Sequence, residues 1–197
     1  PLYSSAASDV YKRQGQNMRK VNFSDEVPRG GLLTMGSVLK VTTDGFDTSP
    51  ILRGAWISKN IVGTPLSPPP ESVPALEPEH GEAETLKEQI DQHKSNKTCY
   101  ACHKSIDPYG FALESFDASG EWRERYKIKQ AHKSTFQYSP KGYFKVGVPV
   151  DASGEIGADK FKNIFGLKKV LLSNERKIAY NFAKKFFEYA RGGKPRL

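Results

Sequence analysis

Cys99-Tyr100-Ala101-Cys102-His103 is the stretch that decides how this sequence is read. It is C-x-x-C-H, the attachment pattern of c-type haem. The spacing has a physical basis. On a helix, Cys99 and Cys102 lie one turn apart, so both sulfurs can reach the two vinyl groups on one edge of a porphyrin. His103 then presents its imidazole to the iron as the proximal ligand. Chance accounts poorly for the pattern: two cysteines fall three apart in about 1% of random placements, and a following histidine adds a factor of roughly 1 in 50. Three other readings stay open. A thioredoxin-like redox pair lacks its βαβ context. A zinc-binding structural module lacks a second C-x-x-C or a spaced histidine pair. The third is a pair of ordinary buried cysteines.

Composition agrees with a cofactor-completed core. Only 37% of the 197 residues are hydrophobic and 26% are charged. That apolar share is low for a self-sufficient domain, so either much of the chain is loop or a cofactor or neighbour completes the core. A covalent haem would add a large apolar surface, and the chain without it is expected to fold poorly. The sequence has no apolar run of membrane-spanning length, so no transmembrane segment is expected. Two cysteines exclude a disulfide-rich scaffold. The 30 basic and 22 acidic residues give a net charge of +8. The excess is spread along the chain with no interleaved aromatic-basic patch, so a nucleic-acid partner is not expected. No glycine-rich phosphate loop and no Ser-His-Asp order is evident.

Working outward, residues 82–93 read as an amphipathic helix with Leu86, Ile90 and His93 on one face. Before it, residues 64–80 hold six prolines and must be extended chain. Ser49-Pro50 signals a helix start, followed by Ile51, Leu52, Ala55, Trp56 and Ile61 at helical spacing. Residues 29–42 suit a short helix, with Leu32, Leu33, Met35, Val38 and Leu39 apolar. Residues 1–14 lack periodicity and read as a non-native or disordered leader. After the motif, Asp107-Pro108-Tyr109-Gly110 reads as a turn, with Asp107 as its cap and Gly110 supplying a special backbone conformation. Glu114, Asp117 and Glu121 sit among Arg123, Arg125 and Lys127, which suggests a solvated or salt-bridged face, not acid-base chemistry. Residues 127–148 are polar loop or insertion, with a small hairpin around Lys141-Gly142. Residues 158–172 and 174–191 fit two packed helices. The expected architecture is mainly α: a cytochrome c-like haem-binding domain over 15–126 with long proline-rich loops, then a small helical domain over 149–197.

With these stretches quoted, a family resemblance becomes visible. RGGLLTMGSVLKVT, TSPILRGAWISKNIVGTPLSPPPESVP, TLKEQIDQH and CYACHKSIDPYGFALESFDASGEWR together resemble the C-terminal part of planctomycete-type cytochrome c-like proteins. These are large secreted proteins known mainly through domains of unknown function. The likeness covers roughly residues 29–123, and residues 149–192 resemble the small helical domain that follows in that family. One departure is that the family usually ends in Tyr-Ala-x-Gly-Arg, whereas this chain reads Tyr189, Ala190, Arg191, Gly192, Gly193. The resemblance implies haem binding, electron transfer, and upstream domains of the same polypeptide as partners. It supplies no substrate.

The sixth iron ligand separates electron transfer from chemistry on the metal. Met35 is the first candidate, because a thioether stabilises ferrous iron and the resemblance implies a Met, His or Gln at this position. Its ordinary alternative is a core methionine. His93 is the second candidate, on the inward face of its helix; a hydrogen bond to a propionate or carbonyl is its alternative role. A buried propionate needs a cation, and Arg53 and Arg123 are the arginines considered, with Arg123 either a propionate partner or a fold-locking ion pair. Trp122 and Trp56 are candidate pocket or core aromatics. Three functions follow: an electron-transfer module with an unknown redox partner protein, a haem-dependent oxidoreductase or sensor with a labile sixth position, or a module in which haem is a folding staple. Thioether attachment requires reduced thiols and haem on the outer side of an energy-conserving membrane, so a periplasmic or otherwise secreted location is expected, with any signal lying upstream.

Overall fold

The structure is a computed structural model that describes residues 24, 27–43, 45, 47–64, 66, 86–94, 97–129 and 144–193. The leader at 1–14, nearly all of the proline-rich stretch and the hairpin tip at Lys141-Gly142 lie outside the described residues. The element order is a 3-10 turn Leu32–Thr34, α1 Gly36–Val41, α2 Pro50–Ile57 continued by a π-helix Ser58–Val62, α3 Leu86–His93, and α4 Lys97–Phe111. Then come β1 Arg125–Lys129, β2 Phe144–Pro149, β3 Gly154–Ile156, β4 Asp159–Phe161, α5 Ile164–Leu172 and α6 Glu175–Ala190. Helices outweigh strands, which is compatible with the mainly α expectation.

Local chemistry explains most boundaries. Met35 is extended (φ −65°, ψ 138°), so the stretch expected as one helix is divided into the 3-10 turn and α1. Leu33 and Leu39 enter the core from either side of that joint, while Leu32 stays exposed. Ser49 caps α2, its Oγ accepting from the Leu52 N–H at 3.2 Å, and Pro50 opens the first turn. The buried face of α2 is Pro50, Arg53, Gly54 and Ile57, whereas Leu52 faces solvent. Gly63, at φ 76°, ends the π-helix in the left-handed region.

Two expectations are corrected. Asp107-Pro108-Tyr109-Gly110 is not a turn after the motif helix, because α4 runs on to Phe111 with Pro108 inside it. Gly110 is helical, and its role is close packing: a Cβ there would stand 1.8 Å from the Pro50 carbonyl oxygen. Residues 159–161 are strand, not helix. Gly157, at φ 63°, opens a tight turn that folds β4 back antiparallel on β3, with Glu155 opposite Lys160. β1 and β2 also pair antiparallel, with an irregularity between Arg125 and Lys127, so both ends of the stretch expected as loop are strand.

A buried cluster joins the elements. It contains Leu33, Leu39, Ile57, Tyr109, Ala112, Leu113 and Phe116 together with Phe161, Ile164, Leu167 and Leu171. Side chains from both the expected haem domain and the expected C-terminal helical domain therefore share one core. Asn163 caps α5 by accepting from the N–H groups of Phe165 and Gly166. On α6, the buried Asn181 donates from Nδ2 to the carbonyls of Asn60 (2.7 Å) and Ile61 (3.2 Å), tying that helix to the π-helix. No helix among the described residues is long and apolar enough to cross a membrane.

Candidate functional site

The motif lies in the first half of α4, and α2 fixes the axis of that helix. At the crossing the two backbones touch without intervening side chains: a Cβ on Gly54 would stand 1.9 Å from the Ile106 carbonyl oxygen. Beyond the crossing, from Ile106 onward, α4 is largely buried, while Tyr100, Ala101, Cys102 and Lys104 are exposed. Cys99 is half-buried, Cys102 is exposed, and both are free thiols. They stand three positions apart on the helix, with Tyr100 and Ala101 between them, so they occupy successive turns of one helix.

His103 is held from the next turn of the same helix. Its Nδ1 lies 2.9 Å from Asp107 Oδ1. An ionised carboxylate only accepts, so with Asp107 ionised the pair takes Nδ1 as the donor. Asp107 is buried, and its second oxygen, Oδ2, has no hydrogen-bond partner among the described residues. Lys94 Nζ lies 3.5 Å from that oxygen and also pairs with Asp91. Burial pushes the Asp107 carboxyl above its ordinary range, and His103 and Lys94 offset part of that rise.

His103 and Asp107 open on a cleft of about 840 Å³, a size in the range that holds small molecules and cofactors. Tyr100 and Phe111 from α4, Lys87 and Lys94 from α3, and the β3–β4 hairpin form its other walls. Lys87 is fixed in place by Asp151 (2.7 Å) and Ser153, and it lies over the Phe111 ring. Burial alone would raise the Asp151 carboxyl, but Lys87 and Ser153 hold it below its ordinary range.

The remaining candidates fall elsewhere. Met35 is 48% exposed and is not among the described residues lining the cleft, so the structure does not bring it to His103. His93 ends α3, but its side chain lies outside the described residues. Trp122 is 42% exposed, edge-on to Phe116 with ring centroids 5.3 Å apart, and it does not line the cleft. Arg123 is a fold-locking residue: Nη2 donates to Glu114 Oε2 at 3.0 Å and to Thr48 Oγ1 at 2.7 Å, and its guanidinium covers the Tyr126 ring. Arg53 is engaged in the same cluster, donating to Glu114 and to the carbonyls of Leu113 and Phe116.

Asp107 is the site residue that the sequence reading misplaced. The signal was present, since an aspartate four residues after a helical histidine shares its face. The following proline suggested a turn and hid it. Among the described residues, no group of three or more His, Cys, Asp and Glu side chains is gathered to hold a bare metal ion.

Residues 29–126 match the family model PSCyt3, described as a protein of unknown function (DUF1588), a family cytochrome-like by name. The matched span contains Cys99, Cys102, His103 and Asp107 and runs to Tyr126, whose hydroxyl bonds Glu114. It coincides with the stretch that carries the resemblance. No curated protein and no solved structure matches the chain.

Proposed function

We propose that this chain is a c-type haem-binding module that transfers electrons, with the porphyrin joined to Cys99 and Cys102 and the iron held by His103. The observation that carries this reading is the pairing of two free thiols on successive turns of α4 with a histidine whose Nδ1 is bonded to Asp107. That donor set suits haem better than a bare ion. A porphyrin supplies four nitrogens of its own, so one imidazole from the chain suffices, whereas zinc needs three or four protein ligands. The cleft beside His103 has room for a cofactor, with Cys99 and Cys102 on the same helix but not among the described residues that line it, and Lys104 on its wall suits a propionate. When bound, the haem would supply a one-electron iron couple. The chain itself would hold the macrocycle by two thioethers, orient the imidazole and shield the iron's proximal side.

The same chemistry favours the periplasm or an equivalent compartment, within a larger secreted polypeptide that includes its redox partner domains or meets them. The test is expression with a secretion signal beside a c-haem maturation system, followed by haem staining on a denaturing gel. Haem should remain with the wild-type chain and be lost in Cys99→Ala/Cys102→Ala. A wild-type chain without covalent haem would overturn the reading, and zinc content would then be measured on the same sample.

One observation favours a second reading. The exposed Met35 stands away from the cleft, which suits an iron with an open sixth position, as in a haem oxidoreductase or sensor. Rapid carbon monoxide binding to the reduced protein would select it.

A further inference from the structure

We infer that Asp107 is the positioning residue of this site, setting the tautomer, orientation and donor strength of His103 toward iron. The inference rests on the haem reading above. Four residues separate the two on α4, so they share a face, and Nδ1 lies 2.9 Å from Oδ1. A carboxylate in that position favours the proton on Nδ1, the tautomer in which Nε2 is the ligating nitrogen. It also makes the imidazole a stronger donor than a neutral carbonyl partner would. A stronger axial donor favours ferric over ferrous iron and lowers the reduction potential.

Stability alone does not account for this aspartate. Its carboxylate is buried at 1% exposure, and Oδ2 makes no hydrogen bond among the described residues. Burying an anion so incompletely satisfied is costly, whereas an exposed pair at the same spacing would serve the helix equally well. The nearest countercharge is Lys94 Nζ at 3.5 Å from Oδ2. Lys94 is also shared with Asp91. It therefore moderates the negative charge behind the histidine without competing for the oxygen that the histidine uses. The two residues form a graded pair: Asp107 pushes electron density toward the ligand, and Lys94 restrains it.

The test is redox potentiometry and resonance Raman spectroscopy on full-length holo-protein with haem attached. Asp107→Asn keeps the side-chain shape and removes the anion. Its midpoint potential should rise by an amount equal to a tenfold or greater change in the ferric-to-ferrous ratio, about 59 mV for one electron. The ferrous iron–histidine stretch should fall in frequency, and Asp107→Glu should recover part of both changes. Lys94→Met should move the potential in the opposite direction, which a purely structural role would not do. A holo-protein whose potential and stretch are unchanged in Asp107→Asn would overturn the assignment. If that variant does not mature, Lys94→Met decides, because it leaves the Nδ1–Oδ1 bond in place; an unmoved potential there also overturns it. A wild-type chain that takes no covalent haem is a different result, visible on the gel before any potential is read, and it removes the haem reading together with this role.

Discussion

Arg53 and Glu114 form an ion pair with both side chains fully shielded from water, Nη1 lying 3.3 Å from Oε1. Arg53 also donates to the carbonyls of Leu113 (2.9 Å), Phe116 (2.6 Å) and Asp117 (3.2 Å), in the turns that follow α4. Glu114 accepts in addition from Thr48 and Arg123. Burial pushes the Glu114 carboxyl up and the Arg53 guanidinium down, and each partner resists the shift of the other. Removing one member leaves the other buried and short of a partner, which costs about 3–5 kcal/mol. Arg53→Met is therefore expected to lower the unfolding free energy by that amount, read as a lower urea midpoint with an unchanged slope, while Arg53→Met/Glu114→Met regains part of the loss. A single variant within about 1 kcal/mol of wild type would contradict the assignment.

The glycine contact between α2 and α4 makes a second prediction. A methyl at Gly110 would fall 1.8 Å from the Pro50 oxygen, and a methyl at Gly54 would fall 1.9 Å from the Ile106 oxygen. Both obstacles are backbone, so neither can swing aside. Gly110→Ala must push the helices apart, a change expected to cost about 1–3 kcal/mol or more. Gly36→Ala, in α1 with nothing within 4 Å, is the control. It should be neutral, or stabilising by up to about 1 kcal/mol, because it stiffens the unfolded chain. Equal thermal midpoints for the two variants would remove the contact from the account of how α4 is fixed.

Asp117 gives the pH dependence. Burial raises its carboxyl, but the Ser119 and Glu121 donors and Lys127 outweigh burial and hold it below the ordinary range. Its Oδ1 accepts from both Ser119 N–H and Glu121 N–H at 2.9 Å. A depressed folded-state value means that the stabilisation is fully present above the unfolded value, about 3.9, and is lost as pH falls through the folded one. Asp107 and Glu114 shift the other way, so the whole-protein curve mixes signs. The difference between wild type and Asp117→Asn isolates one group. That difference should be constant near neutrality and shrink below about pH 4. A gap that keeps its size into acid would rule out the ionised carboxylate as its source.

The helices around the motif were legible because their signals are local. Ser49-Pro50 marks the start of α2, and the Leu86–Ile90 spacing marks α3. Of the apolar residues whose spacing suggested two packed helices over 158–172 and 174–191, Phe161, Ile164, Leu167 and Leu171 are buried, whereas Phe182, Phe186 and Tyr189 are exposed. What failed was read from residue type without its distant partner. Arg53 takes the central place on the buried face of α2 only because Glu114 and three carbonyls arrive from 60 or more residues away. Glu114 and Asp117 belong to a salt-bridged cluster as expected, but they are buried instead of solvated. The β3–β4 hairpin was missed because strands of three residues carry too little alternation to outweigh the helical pattern that follows. At the candidate site, the spacing of Cys99, Cys102 and His103 was visible in the sequence, whereas the Asp107 contact with His103 was hidden by the proline beside it.

Met35 supports the last prediction. It caps the 3-10 turn and opens α1 in an extended conformation, with 48% of its surface exposed. A thioether so placed makes few contacts, so Met35→Ala should change stability by no more than about 0.5 kcal/mol. It also stands outside the described wall of the cleft that holds His103. On this geometry the oxidised holo-protein should show no far-red band of methionine-ligated ferric haem, and Met35→Ala should leave the spectrum as it is. Rapid carbon monoxide binding by the reduced wild type would then select the oxidoreductase or sensor reading, whereas a carbon monoxide-insensitive iron whose spectrum changes in His93→Ala would keep electron transfer with His93 as the sixth ligand. A far-red band that disappears in Met35→Ala would mean that the joint between the 3-10 turn and α1 moves when haem is bound. That would restore methionine as the sixth ligand and favour electron transfer over ligand chemistry.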